Sequence, residues 1–380
     1  MPALAITDHG NMYGVKEFFK VAEKYPSVKP IIGCEVYVTR WYDHKLKDTA
    51  HKGYYHLILL AKSYKGYKNL VKIVSTGHTE GMYYGKPRVM HEVIEKYHED
   101  LICSSACLAG EIPRNIIAGD MKAVDEAIEW HKKVFGEDYY LEVMLHKTEV
   151  PGLSQEVYEH QAICNKAIFE LAQKHGIKVI ATNDVHFVNK EDGPVHDRLI
   201  CLTTNSYIDD VDRMRYTQQE YLKSEEEMAA LFPDHPEVLS NTLEIMDKVE
   251  SYSINCDPIL PVFEISPDFM KDIDAHMEKY KDIIDAGKCD KKGNYRGDGF
   301  CHSVAYLCHL TYNGAHKRYG ETLTQEQEER IDFELKTISR MGFPDYFLIV
   351  QDYIAASRAM GCMVGPARAP ISPGCRNVIL

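Results

Sequence analysis

The sequence predicts an α/β protein: a first unit of alternating strands and helices, arranged as a largely parallel sheet or barrel, and a mainly helical second unit. Three observations carry this. Short apolar runs alternate with helix-period segments from Met1 to about Glu250, which is the signature of repeated β-α units. After Asn183 the periodicity turns helical. The stretch "NCDPILPVFEISPDF" at 255–269 then brings three prolines together and reads as a linker.

In chain order, Ala3 to Ile6 read as a short strand, and Gly10 with Asn11 punctuate a turn before a helical pattern from Val15 to Ala22. Further strands are expected in "KPIIGCEVYV" (29–38), "YYHLILLA" (54–61), "DLICSSAC" (100–107), "YYLEVML" (139–145) and "KVIATNDVHF" (178–187). Helices are expected at Tyr64 to Ser75, Met121 to Phe135, Ser154 to His175, Gln218 to Leu231 and Glu237 to Val249. The expected organisation is a first domain over 1–254, a linker over 255–267 and a second domain over 268–380. The second domain should hold helices in Gly299 to Tyr312 and Gln325 to Met341, and an apolar stretch "YFLIVQDYI" at 346–354.

Composition narrows the class. With 380 residues, 45% hydrophobic and 27% charged, the chain can form one large core and a second unit. No apolar run nears the ~20 residues of a membrane helix and the start lacks a signal-peptide pattern, so a cytoplasmic protein without membrane partners is expected. Eleven cysteines at irregular spacings, Cys34 and Cys103 inside strand patterns, fit reduced core thiols better than a disulfide framework. A formal charge of −13 argues against a broad nucleic-acid surface, but leaves room for a local basic groove or for cations held by acids.

What stands at or near each strand end is chemically informative. His9 follows the first strand, Glu35 lies in the second, His56 in the third, Cys107 after the fourth, and Asp184 with His186 closes the last. In a β/α barrel those ends converge on one face. A set of imidazoles, carboxylates and a thiol suits zinc or manganese. On a strand, Asp184 and His186, two apart, would project to the same side.

The segments "ALAITDHGNMYG", "KPIIGCEVYV", "YYHLILLA", "TEGMYYGKPR", "SSACLAGEIP", "IATNDVHF", "HDRLICL" and "EYLKSEEEMAALF" resemble the polymerase-and-histidinol-phosphatase (PHP) domain that opens the bacterial DNA polymerase III α family. "RIDFELKTISRMGFPDYFLIVQDYI" resembles the start of that family's palm domain. The resemblance implies a distorted β/α barrel of PHP type, similar to a TIM barrel, followed by a mainly helical start of a palm. It implies that His9, Glu35, His56, Cys107, Asp184 and His186 are metal ligands, for Zn²⁺ or Mn²⁺ or else Mg²⁺, and that the site resembles one that performs 3′ to 5′ proofreading hydrolysis in some members. It implies Mg²⁺ for the family's polymerase site. It also implies DNA primer-template and deoxynucleoside triphosphates as substrates, and a proofreading exonuclease and a sliding clamp as partners.

The chain departs from the family pattern at both ends. Family members carry a His-x-His strand and a Leu-Asp-Gly turn upstream of "ALAIT", so Met1 corresponds to an internal position, and an open strand edge bearing Leu4 and Ile6 is expected, with weaker metal binding and a tendency to aggregate. In place of the family's Gly-rich loop the chain reads "VGPARAPISPGCRNVIL", whose Pro370 and Pro373 remove N–H donors, so this tail should not cradle a triphosphate. None of the polymerase's catalytic aspartates is expected within the chain, and no DNA synthesis by it.

Two further patterns have plain readings. Cys301 and Cys308 are seven apart in an expected helix and so share a core-facing stripe. Glu225 to Glu227 begin a helix, where carboxylates meet the dipole favourably. Three functions then compete: part of a replicative polymerase, a stand-alone metal-dependent phosphoesterase, or a non-catalytic scaffold for a proofreading subunit. The palm-like segment after Pro261 favours the first.

Overall fold

In a computed structural model that describes residues 1–39, 42–148, 150, 152–256 and 259–365, the chain forms two compact units that part between residues 256 and 257. The tail with Pro370 and Pro373 lies outside the described residues. No helix among those described is long and apolar enough to cross a membrane.

The first unit is α/β. Its strands are β1 (Ala3–Ile6), β2 (Lys29–Thr39), β3 (Tyr55–Ala61), β4 (Met82–Tyr83), β5 (Lys86–Met90), β6 (Leu101–Ser104), β7 (Tyr139–Val143) and β8 (Lys178–Ala181). They form one sheet in the order β4-β5-β2-β3-β6-β7-β8, with β1 pairing β2. The β1–β2, β2–β5, β6–β7 and β7–β8 pairs are parallel, whereas β3 runs against both β2 and β6. Parallel neighbours need a crossover helix; the described residues between β2 and β3, 42–54, supply only the short 3₁₀ turn Thr49–His51, so β3 reverses. Among the described residues β1 pairs with β2 alone, and Leu4 is exposed.

Helices α1 (Val15–Ala22), α2 (Tyr64–Thr79), α3 (His91–Tyr97), α4 (Glu111–Ile117), α5 (Met121–Phe135) and α6 (Gln155–His175) cover the outer face of the sheet. Because strand side chains alternate, one parity meets these helices: Ile32, Cys34, Val36, Leu57, Leu59, Leu101, Cys103, Leu141 and Val179 lie in one core with Ile73, Ile112, Ile128 and Ile168. The opposite parity is graded. At one end Ile31, Leu60, Ile102, Tyr140 and Ile180 are apolar and pack with Ile245 and Val249. At the other end the same face presents Glu35, His56, Ser104, Glu142 and Thr182. The apolar end buries its surface while the polar end stays available for chemistry.

Beyond β8 come α7 (Gly193–Thr204), α8 (Glu225–Leu231) and α9 (Glu237–Lys248). The helical pattern expected from Gln218 begins only at Glu225, because residues 218–223 pair with the loop after β8 instead. Ser224 caps α8, and Glu227 reaches back to the Ser224 N–H, so the Glu225 to Glu227 run serves the cap as expected.

Glu244 fastens α9 to the sheet. It accepts a hydrogen bond from the Tyr140 hydroxyl at 2.8 Å, pairs with Lys178, and lies 3.2 Å from Lys248. The hydrogen bonds from Lys178 and Tyr140 hold its carboxyl at about 2. A depressed carboxylate pKa adds stability above the unfolded value, ~4.3, and that stability is lost as pH falls through the folded value. Glu244→Gln should therefore melt below the parent at pH 7, with the gap closing between about pH 4 and pH 2. Melting curves across that range would contradict this by showing a constant gap.

The second unit is helical: α10 (Pro267–Met270), α11 (Ile273–Lys279), α12 (Lys281–Asp285), α13 (Asp298–Tyr319), α14 (Gln325–Met341) and α15 (Pro344–Ala359). The "YFLIVQDYI" stretch lies in α15. Cys301 and Cys308 are buried on α13 beside Val304, Leu307, Leu335 and Ile338, as the helical stripe requires. All the cysteines among the described residues are free thiols.

Candidate metal centre

Glu35 projects from the polar end of the β2 inner face and is 3% exposed. His9, just past β1, extends the parallel pairing as an isolated bridge to Glu35. The Gly10 N–H donates to the Glu35 carbonyl at 2.8 Å, and the Glu35 N–H donates to the Asp8 carbonyl at 3.1 Å. Gly10 has φ +65°, and a Cβ there would come within 2.8 Å of both Tyr37 and Pro87, so the turn after His9 requires glycine. His56 is the second residue of β3, and the reversed direction of β3 brings its beginning to the end where β1 finishes. One carboxylate oxygen of Glu35 receives both imidazoles: His9 Nδ1 at 2.5 Å and His56 Nδ1 at 2.9 Å.

Cys107 follows β6 on a tight loop. Ala106 before it is left-handed at φ +60°, the Gly110 N–H donates to the Cys107 carbonyl at 2.8 Å, and the Sγ atom ends 3.6 Å from His56 Nδ1. Left-handed backbone at a non-glycine residue is costly and is held only by its surroundings.

Asp184 and His186 require a correction. The strand expected over 178–187 ends at Ala181, and the pair stands on the following loop with Asp184 left-handed at φ +44°. The reason is competition for backbone partners. The Asn183 side-chain amide donates to the carbonyls of Gln219 at 2.9 Å and Tyr221 at 2.7 Å, and the His186 N–H donates to the Glu220 carbonyl at 2.8 Å. The loop is thereby joined to residues 219–221 and leaves the sheet. His186 then turns its ring back so that Nδ1 lies 2.6 Å from the Asp184 carbonyl, which fixes Nδ1 as the donor and leaves Nε2 as the free acceptor. The His186 and His9 rings lie 5.5 Å apart.

Electrostatics follow from this crowding. Desolvation would raise the Glu35 carboxyl, but hydrogen bonds from His56 and His9 override it and hold it at about 2. The hydrogen bond to Glu35 raises His9 above its usual value, helped by the charges of Glu35 and Asp184. Desolvation pushes the Cys107 thiol well up, with Asp184 and Glu35 adding to it, and also raises Asp184. Cys107 and Asp184 thus resist taking a negative charge beside Glu35, and a cation among them would relieve that.

The donor set fits a divalent ion. One oxygen of Glu35, one nitrogen of His56 and the sulfur of Cys107 lie within 4.8 Å of one another. Oxygen, nitrogen and sulfur are donor types that divalent metal ions take from proteins. His9 joins this trio through Glu35, His186 through its ring contact with His9, and Asp184 through His186 and its charge on His9.

Other residues of the site escaped the sequence reading. Tyr54 stacks parallel to His56 at 6.0 Å between centroids, and Tyr37 tilts against it at 5.3 Å. The Tyr216 hydroxyl is 3.3 Å from His186 Nε2, and His196 of α7 lies 5.1 Å from the Tyr216 ring. Behind them a buried network joins His146, Gln161, Asn183, Glu220 and Lys223: His146 Nε2 and the Lys223 ammonium are each 3.2 Å from Asn183 Oδ1. The aromatic rim had one signal, the alternation "EVY" that puts Tyr37 on the face of Glu35. Tyr216 and the network, from distant loops, had none.

With the geometry in place, comparison with known proteins is specific. Residues 1–146 match the PHP domain, and residues 305–372 match the bacterial DNA polymerase III alpha NTPase domain. The chain is 38% identical to the DNA polymerase III subunit alpha of Borreliella burgdorferi over 97% of its own length and 28% of that protein. It is 36% identical to that of Treponema pallidum over 96% of its length and 28% of the relative, and 33% identical to that of Thermus aquaticus over 97% and 32%. The chain thus spans 28 to 32% of the length of these relatives.

Proposed function

We propose that this chain, which carries a PHP domain and a segment of bacterial DNA polymerase III alpha, serves in DNA-templated DNA replication as part of a replicative polymerase, and that the cluster around Glu35 is a divalent-metal centre hydrolysing phosphodiesters from a 3′ end. The observation that carries this reading is the convergence of Glu35, His56 and Cys107 donor atoms within 4.8 Å at the strand-end face of the PHP-matching unit.

Glu35, His56, Cys107, His9, Asp184 and His186 would hold the metal, with Zn²⁺ or Mn²⁺ the ions that best suit the donors. A bound ion supplies Lewis acidity, which activates water and neutralises charge on a phosphate. The chain's own residues do the rest. Glu35 orients two imidazoles from a single oxygen, and the Asp184 carbonyl fixes the tautomer of His186. The Tyr54 and Tyr37 rings flank His56 and restrict how its ring can turn. On this reading the partners are primer-template DNA, deoxynucleoside triphosphates, a proofreading exonuclease and a sliding clamp, all in the cytoplasm, with Mg²⁺ serving the polymerase site of the whole subunit.

The test is hydrolysis of 5′-labelled single-stranded DNA in Zn²⁺, Mn²⁺ or Mg²⁺. Stepwise shortening from the 3′ end, lost with a chelator and in Asp184→Asn, is the expected result. A metal-loaded chain that leaves the strand intact would point to a scaffold instead.

A further inference from the structure

We propose that Lys86, held in place by the buried phenol of Tyr37, and the phenol of Tyr216 form the phosphate-holding rim of the metal centre and receive the non-bridging oxygens of the scissile phosphodiester. This rests on reading the centre as a phosphoesterase.

Lys86 opens β5, immediately after the turn from β4, and is half-buried. Its ammonium lies 3.4 Å from the Tyr37 hydroxyl and 4.9 Å from the centroid of that ring. Tyr37 in turn tilts against His56 at 5.3 Å, and the Lys86 charge is close enough to act on His9. Among the described residues Lys86 pairs with no carboxylate, although its neighbourhood is rich in them. A lysine ammonium has three N–H donors, and the hydroxyl of Tyr37 occupies one. Two donors remain for a ligand.

Tyr216 comes from the loop that grips the segment of Asp184 and His186. Its hydroxyl points at His186 Nε2 from 3.3 Å, on the one ring nitrogen left free to ligate. When that nitrogen binds an ion, the phenol must turn its O–H elsewhere, toward whatever lies on the metal. Tyr37 lies against the His56 ring at 5.3 Å and Tyr216 against the His186 ring at 4.7 Å, so the two phenols flank imidazoles of the same cluster. The centre itself is built of carboxylates, a thiol and imidazoles, whereas its edge offers an ammonium, held by the buried Tyr37, and the phenol donor of Tyr216. Acceptors that hold a cation, ringed by donors, form the complement of a phosphate ester with one face on the metal and the others on the protein. The rim binds and orients, and bond cleavage stays with the metal centre.

The test uses the full chain loaded with Mn²⁺ or Zn²⁺ and takes inorganic phosphate as the probe, with metal content measured by elemental analysis and folding by thermal melting. Lys86→Met should keep the metal content and the melting temperature of the parent while phosphate affinity falls at least tenfold. Lys86→Arg, which keeps the charge, should recover most of that loss. On single-stranded DNA the Met variant should raise KM with a smaller change in kcat, and Tyr216→Phe should weaken phosphate binding severalfold. A folded, metal-replete Lys86→Met chain that binds phosphate like the parent overturns the rim and leaves the metal centre standing. So does a metal-loaded parent that takes up no phosphate. A parent that holds no metal brings down the metal-centre reading, and the rim with it.

Discussion

Glu35→Gln should remove nearly all metal binding while leaving the fold intact. A single oxygen of this carboxylate receives His9 at 2.5 Å and His56 at 2.9 Å, and the same residue supplies the oxygen of the donor trio with Cys107. An amide has almost the same shape but no charge, so its oxygen is a weaker ligand and a weaker acceptor for both rings. The variant therefore loses a ligand charge and the alignment of two further ligands. Outer partners of this kind are worth 10- to 100-fold in metal affinity on their own; adding a lost anionic ligand gives an expected fall of ~10³-fold, about 4 kcal/mol. Part of the fold's stability should go as well, because a carboxylate held at about 2 by two imidazoles stabilises the folded state at neutral pH. Metal per chain by elemental analysis, with a melting curve as the fold control, checks both halves. A variant that retains one equivalent of metal would show that Glu35 is a structural partner of the histidines and no ligand.

Asn183→Ala should lower the melting temperature of the first unit by roughly 10 °C and impair metal uptake as well. Asn183 is buried, donates to the carbonyls of Gln219 and Tyr221, and stands as acceptor for the Lys223 ammonium. Truncation leaves the buried Tyr221 carbonyl without its side-chain donor, takes one of two donors from the Gln219 carbonyl, and leaves the Lys223 ammonium and His146 Nε2 without their side-chain acceptor. At ~1 to 3 kcal/mol for each buried group left unpaired, the total is ~3 to 5 kcal/mol, and a unit of this size shifts by about 2 to 4 °C per kcal/mol. The same bonds hold the loop that carries Asp184 and His186, so this loss of stability should be coupled to the site. Melting within 2 °C of the parent and undiminished metal content would show that the loop is held without this side chain.

The β-α alternation was legible because β1, β2, β7, α1 and α5 each bury apolar residues at the spacing of their own element. What escaped was set by partners distant in sequence. The direction of β3 is one case, although the short connection between β2 and β3 carried the clue. The end of β8 is another: "VIATNDVHF" has a strand's composition, but Asn183 exchanges the ladder for the carbonyls of residues 219 and 221. The six candidate ligands could be named because each lies on or just beyond a strand. Tyr216 and the buried Glu220 network could not, since nothing local marks a phenol or a carboxylate that will meet His186 or His146 across tens of residues.

The most direct measurement is an anomalous-scattering map from crystals of the full chain grown with Zn²⁺, recorded on both sides of the zinc absorption edge. The expected result is a peak about 2.3 Å from the Cys107 sulfur and about 2.0 to 2.2 Å from a His56 nitrogen and a Glu35 oxygen. Crystals of the zinc-treated protein in which the Cys107 sulfur still faces His56 Nδ1 at 3.6 Å, with no anomalous peak between them, would contradict the existence of a metal centre in this chain.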